Sequence, residues 1–143
     1  MRILGLDLGS RTLGIALSDT NESMALMKET FRFAQDDYDS AIDKTLEYID
    51  QYKIKTVVLG LPKHMNGDIG ERAQISIEFK EVLENEREVE VVLIDERLTT
   101  SIGLKELASL NTSANKRKAV IDQVAAANIL QTYLDQKKAG NNG

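Results

Sequence analysis

Three acidic positions are the residues in this chain best suited to chemistry. Asp7 follows the apolar run Ile3-Leu4-Gly5-Leu6 and precedes Leu8-Gly9-Ser10-Arg11-Thr12-Leu13-Gly14. Asp95 and Glu96 follow the strand-like run Val89 to Ile94 and lead into Arg97-Leu98-Thr99-Thr100. Asp122 sits beside Ile121 and Val124-Ala125 in an alanine-rich stretch. A carboxylate at the end of a buried strand is costly unless it is paired or binds a cation. In open α/β sheets, ligands gather at strand carboxyl ends. Hard divalent cations such as Mg²⁺ take oxygen ligands. Two such ions about 3.5–4 Å apart stabilise the attacking and leaving oxygens of phosphodiester cleavage. That chemistry needs no thiol and no imidazole, and the chain has no Cys and one His, His64.

Each position also has a plainer reading. Asp7 can close a tight turn through its own side chain. Asp95 or Glu96 can pair with Arg97 while Thr99 or Thr100 caps a helix. Asp122 can stabilise a helix start through the macrodipole. Strand alternation sends Asp95 and Glu96 to opposite faces, so at most one readily joins Asp7, and periodicity leaves that choice open. Lys116-Arg117-Lys118 is the only three-residue basic run, able to grip phosphates or simply to be solvated. In the loop Lys63 to Gly70, Lys63 and Asn66 could contact phosphate or sugar, and His64 reads as a surface residue rather than a base.

The elements that would position these residues follow from periodicity. Residues 3–6 form a short buried strand ending near Asp7. Leu13, Ile15 and Leu17 alternate with smaller residues as a second strand after a Gly9-Ser10-Arg11 turn. Met24 to Phe33 makes a third strand, although Met24 to Met27 is also compatible with helix. Tyr38, Ile42, Leu46, Ile49 and Tyr52 recur at helical spacing over about 38–52 behind the capping residues Asp36-Asp37. Thr56 to Gly60 is a β-branched buried strand stopped by Leu61-Pro62. A helix over about 71–86, a strand over 89–94, a short helix ending near Leu110 and a long helix over about 119–136 follow. Residues 111–116 read as a polar, mobile segment and 137–143 as a frayed, flexible tail. This order predicts an α/β fold with a mixed five-stranded sheet and helices on both faces. The sheet combines an antiparallel meander with parallel strands.

The 143 residues support one domain, taken as 1–136. Eighteen Lys and Arg against 23 Asp and Glu give a net charge of −5, which argues against binding nucleic acid through bulk positive charge. Without Cys, disulfides, zinc–thiolate sites and thiol catalysis are excluded. No run is apolar enough for a membrane span, and the start lacks a signal-peptide layout. The expectation is a cytoplasmic protein with no membrane partner.

Leu6 to Ala16, Gly60-Leu61-Pro62 with Asn66-Gly67, Asp95 to Thr100, and Lys118 to Ala126 together closely resemble the YqgF/RuvX family. These bacterial proteins are described as pre-16S rRNA nucleases or Holliday junction resolvase-like proteins. The resemblance runs from Met1 to about Asp135. It implies a ribonuclease H-like fold and phosphodiester hydrolysis with Mg²⁺ or Mn²⁺, two ions being expected. Crowded carboxylates repel one another until a cation arrives, so the ions could bind only with substrate. The implied catalytic and metal-binding residues are Asp7, Glu96 and Asp122, with Asp95 as the alternative to Glu96. Arg11, Lys63, Asn66, Arg97, Thr99, Lys116, Arg117 and Lys118 would position the substrate strand. The implied role is processing the 5′ end of the 16S ribosomal RNA precursor. The competing readings are a Holliday junction resolvase acting on DNA, which needs a dimer, and an RNA-binding ribosome assembly factor with vestigial catalysis. Expected partners are structured RNA (precursor rRNA), with DNA junctions as the alternative substrate, and a ribosomal partner; the chain is expected to be a monomer or weak homodimer.

Overall fold

The computed structural model describes residues 1–62, 70–96 and 114–141, with backbone only for 114–120 and 140–141. Lys63, His64, Asn66, Arg97 and Thr99 therefore lie outside the described residues, as does the short helix expected to end near Leu110. Strand β1 (Leu4–Leu8) turns tightly into β2 (Thr12–Ser18), and β3 (Ala25–Arg32) completes the meander. The Met24–Met27 ambiguity resolves as strand because this segment zips onto β2, Leu17 facing Leu26 and Ala16 facing Met27. Helix α1 (Tyr38–Tyr52) is capped by Asp37, whose carboxylate accepts from the Ser40 hydroxyl at 2.6 Å. Strand β4 (Thr56–Leu61), helix α2 (Glu71–Glu86), strand β5 (Glu90–Asp95) and helix α3 (Ala114–Asn141) follow.

The sheet order is β3-β2-β1-β4-β5, with β1, β4 and β5 parallel and β2 antiparallel to both its neighbours. Two apolar layers hold it. Leu4, Leu6, Leu8, Leu13, Ile15 and Leu17 face α1 and α2 together with Val57 and Leu59. Ile3, Ala16, Val58 and Ile94 face α3, meeting Ala126, Ile129, Leu130 and Leu134. Helices thus cover both faces, as the element order predicts.

Helix α3 departs from expectation. It starts near Ala114 and runs to Asn141, beyond the expected limits at both ends. Residues 114–116 and 137–141 are therefore helical, although they read as mobile or frayed segments. Polar residues without an apolar stripe gave no helical signal there, but an established helix propagates at little cost per added residue. Lys116, Arg117 and Lys118 belong to its opening turns. Asp122 consequently lies about two turns inside α3. The macrodipole acts only within the first turn, so helix-start stabilisation does not account for Asp122.

Candidate active site

Parallel pairing gathers the carboxyl ends of β1, β4 and β5 along one edge. Leu6 and Leu8 point into the α1/α2 layer, so Asp7 between them faces α3. Ile94 lies in the α3 layer, and Glu96, two residues on, returns to that face, whereas Asp95 pairs in register with Leu61. This resolves the choice between the adjacent acids: Glu96 and Asp7 are hydrogen-bonded to each other.

These two carboxyls come from strands separated by β4, so one must reach across about two strand spacings, roughly 10 Å. Gly60 makes the crossing possible. A methyl group at Gly60 would collide with the Glu96 carboxyl and would stand 2.6 Å from Ile129 Cδ1. The empty space above Gly60 is therefore occupied by the Glu96 side chain.

Gly14 serves the third acid in the same way. It lies opposite Asp7 in the β1–β2 ladder, and a methyl group there would strike the backbone carbonyl of Asp122. Gly5 admits Leu130 similarly, its absent methyl falling 2.6 Å from Leu130 Cβ. The glycines at 5, 14 and 60 thus let a helix and a carboxyl approach the sheet. Gly14 thus serves helix packing. Asp122 is brought one strand away from Asp7, although among the described residues no three acidic side chains stand close enough to hold one ion as they are.

The electrostatics reflect two like-charged groups in a poorly hydrated place. Burial raises the Asp7 pKa, partly offset by the Glu96 hydrogen bond and the nearby Arg72 cation. Burial, then the Asp7 charge and the shared hydrogen bond, push Glu96 up to about 8, against the pull of Arg72. Glu96 thus keeps its proton near neutral pH and shares it with Asp7 through their hydrogen bond. The donor set is oxygen only, and a divalent cation is the natural replacement for that proton. In donor chemistry the Asp7–Glu96 pair fits such an ion.

Arg72 is the site residue that motif reading misses. From the first turn of α2 it reaches the strand ends from the side opposite α3, donating to the Leu8 carbonyl and to the Tyr38 hydroxyl, each at 3.0 Å. A signal existed: Arg72 shares a helical face with buried Ser76 and Phe79, four and seven residues on. A cation on the inward face of a helix needs a partner. Among the expected strand-contacting residues, Arg11 is exposed in the β1–β2 turn and donates to Gln35 at 2.8 Å. The side chains of Lys116, Arg117 and Lys118 are not described.

A family model described as RuvX, Holliday junction resolvase, matches residues 1–136. The chain belongs to the RuvX family. Its relatives include a Bacillus subtilis (strain 168) protein, 49% identical over 135 residues covering 94% of this chain and 98% of that protein. Another, from Geobacillus sp. (strain WCH70), is 44% identical over 138 residues covering 96% and 100%. Both carry the provisional name pre-16S rRNA nuclease. Among solved structures, Thermus thermophilus RuvC in complex with a Holliday junction substrate aligns with a TM-score of 0.62 at 14% identity, covering 97% of this RuvX chain and 96% of that one. The fowlpox virus Holliday junction resolvase aligns with a TM-score of 0.60 at 14% identity, covering 95% and 99%. The RuvX chain therefore has the ribonuclease H-like fold that the family resemblance implies, built on the mixed five-stranded sheet that its element order predicts. No described helix is long and apolar enough to cross a membrane.

Proposed function

We propose that this RuvX-family chain is a divalent-cation-dependent nuclease that processes the 5′ end of precursor 16S ribosomal RNA. The observation that carries this reading is the half-buried, hydrogen-bonded Asp7–Glu96 pair at the strand ends, with the Asp122 segment of α3 packed beside it. Asp7, Glu96 and Asp122 would hold two Mg²⁺ or Mn²⁺ ions. When bound, such ions supply an activated water and neutralise charge on the phosphate. The chain's own work is to hold three carboxyls on rigid elements at the partly dehydrated strand ends and to keep a proton on the pair until a cation replaces it. Arg11 and the Lys116–Lys118 turn, with Lys63, Asn66, Arg97 and Thr99, would hold the RNA strand. The names of the relatives support the RNA substrate. The junction-bound RuvC is only 14% identical, and fold alone does not fix a substrate. A cytoplasmic setting, a monomer or weak homodimer, and a ribosomal partner that delivers the RNA complete the proposal.

The test is cleavage of a precursor 16S rRNA transcript with Mg²⁺, beside a four-way DNA junction. Asp7→Asn, Glu96→Gln and Asp122→Asn are each expected to slow RNA cleavage by about 100-fold or more. Retained cleavage in all three rejects the proposed site. Cutting of the junction alone transfers the site to the resolvase reading. Full function of the Asp7→Asn variant in cells would favour an assembly factor that binds without cutting.

A further inference from the structure

Arg72 closes a ring of hydrogen bonds around the turn that follows Asp7. Its Nη2 donates to the Leu8 carbonyl and its Nη1 to Tyr38 Oη, each at 3.0 Å. Tyr38 Oη donates in turn to Asp36 Oδ1 at 3.1 Å. The Asp36 backbone N–H donates to the Ser10 carbonyl at 2.8 Å, returning to the same turn. Asp36 sits at φ 62°, a left-handed conformation that a non-glycine residue keeps only when its surroundings hold it there. The Gly9 N–H to Thr12 carbonyl bond, 2.8 Å, closes the turn internally. The carboxyl end of β1 is thus tied to α2 on one side and to the entry of α1 on the other.

We infer that Arg72 is a positioning residue for cation binding and catalysis: its two-pronged contact with Leu8 and Tyr38 fixes the backbone that carries Asp7. Three observations favour this over a direct grip on substrate. Both terminal nitrogens of the guanidinium are committed to protein acceptors. The side chain approaches from the α1/α2 side, whereas Asp7, Glu96 and α3 occupy the other face. The fork spans a carbonyl and a hydroxyl on two different elements, which a lysine ammonium cannot reproduce in the same geometry.

The inference rests on the nuclease reading above, and the experiment separates the two. Precursor 16S rRNA cleavage and calorimetric Mn²⁺ binding are measured for the wild-type chain and for Arg72→Gln, Arg72→Lys and Tyr38→Phe. Arg72→Gln is expected to lower kcat by about 10- to 100-fold with KM within about threefold, and to weaken Mn²⁺ binding by about 3- to 10-fold. Arg72→Lys restores the charge but not the fork, and should remain at least about fivefold below wild type in kcat. Tyr38→Phe removes only the outer support, lowers kcat by about 3- to 10-fold, and decides the matter should Arg72→Gln fail to fold. Unchanged or tighter Mn²⁺ binding in Arg72→Gln overturns the inference, since a cation that merely repelled the metal would behave so. A loss confined to KM overturns it as well, making Arg72 a strand contact. A wild-type chain that neither cuts RNA nor binds Mn²⁺ overturns the nuclease reading and this inference with it. Wild-type activity with a silent Arg72→Gln overturns this inference alone.

Discussion

At the residue scale, the shared proton of Asp7 and Glu96 makes the stability of the metal-free chain depend on pH in a way that can be signed. Glu96 is held at about 8 in the fold, against an ordinary value of 4.5. Between those values the folded chain keeps a proton that the unfolded chain has released, so stability declines as pH rises. The contribution is complete below about 4.5 and is lost as pH passes through about 8. Asp19 acts in the opposite sense and in another window. Hydrogen bonds from Ser23 and Met24 hold it at about 2, so its contribution is present above 3.8 and lost as pH falls through 2. The melting temperature of the metal-free chain should therefore fall from pH 5 to pH 8.5, and Glu96→Gln should flatten that fall. Excess Mg²⁺ at the upper end should restore stability by taking the place of the proton. A profile that Glu96→Gln leaves unaltered would show that the pair does not hold the proton.

At the element scale, the site depends on how closely α3 and the Glu96 side chain approach the sheet, and glycine sets both distances. Gly14→Ala removes no functional group, yet its methyl would strike the Asp122 carbonyl and push α3 outward. The expected cost is about 1–3 kcal/mol in denaturant unfolding, as for overpacking elsewhere. Cleavage should drop at least about tenfold, because displacements near 1 Å are costly to catalysis. Gly60→Ala should spare α3 less selectively, since its methyl meets both the Glu96 carboxyl and Ile129. Full stability and full cleavage in Gly14→Ala would mean that Asp122 does not need its present depth. The glycines were legible in the sequence as glycines, but their purpose was not. A missing side chain leaves no periodic trace, and only the packed helix shows what fills the space.

At the scale of the whole molecule, a net charge of −5 restricts how the chain can hold RNA. A chain of this balance does not offer bulk positive charge, so on the proposed reading a few clustered cations and bound metal supply the affinity. For about three to five phosphates contacted, log Kd should change with log salt with a slope of magnitude about 2 to 4, measurable by fluorescence anisotropy. A slope near 10 would require an extended basic footprint that this composition does not offer. By itself, the sequence determined the element order, the mixed sheet with its opening meander, and the identity of the acids at strand ends. Those are local properties: alternation, helical period and turn residues act over a few neighbours in the chain. The tertiary structure alone decided that Glu96 rather than Asp95 meets Asp7, because that choice depends on which face Ile94 buries and on the space above Gly60. It also decided that Asp122 lies inside α3 rather than at its start, and that Arg72 from a different helix holds the end of β1. The first and last of these are relations between residues tens of positions apart, set by packing across the sheet, where spacing along the chain carries no information; the depth of Asp122 in α3 follows from a helix start that polar residues leave unmarked.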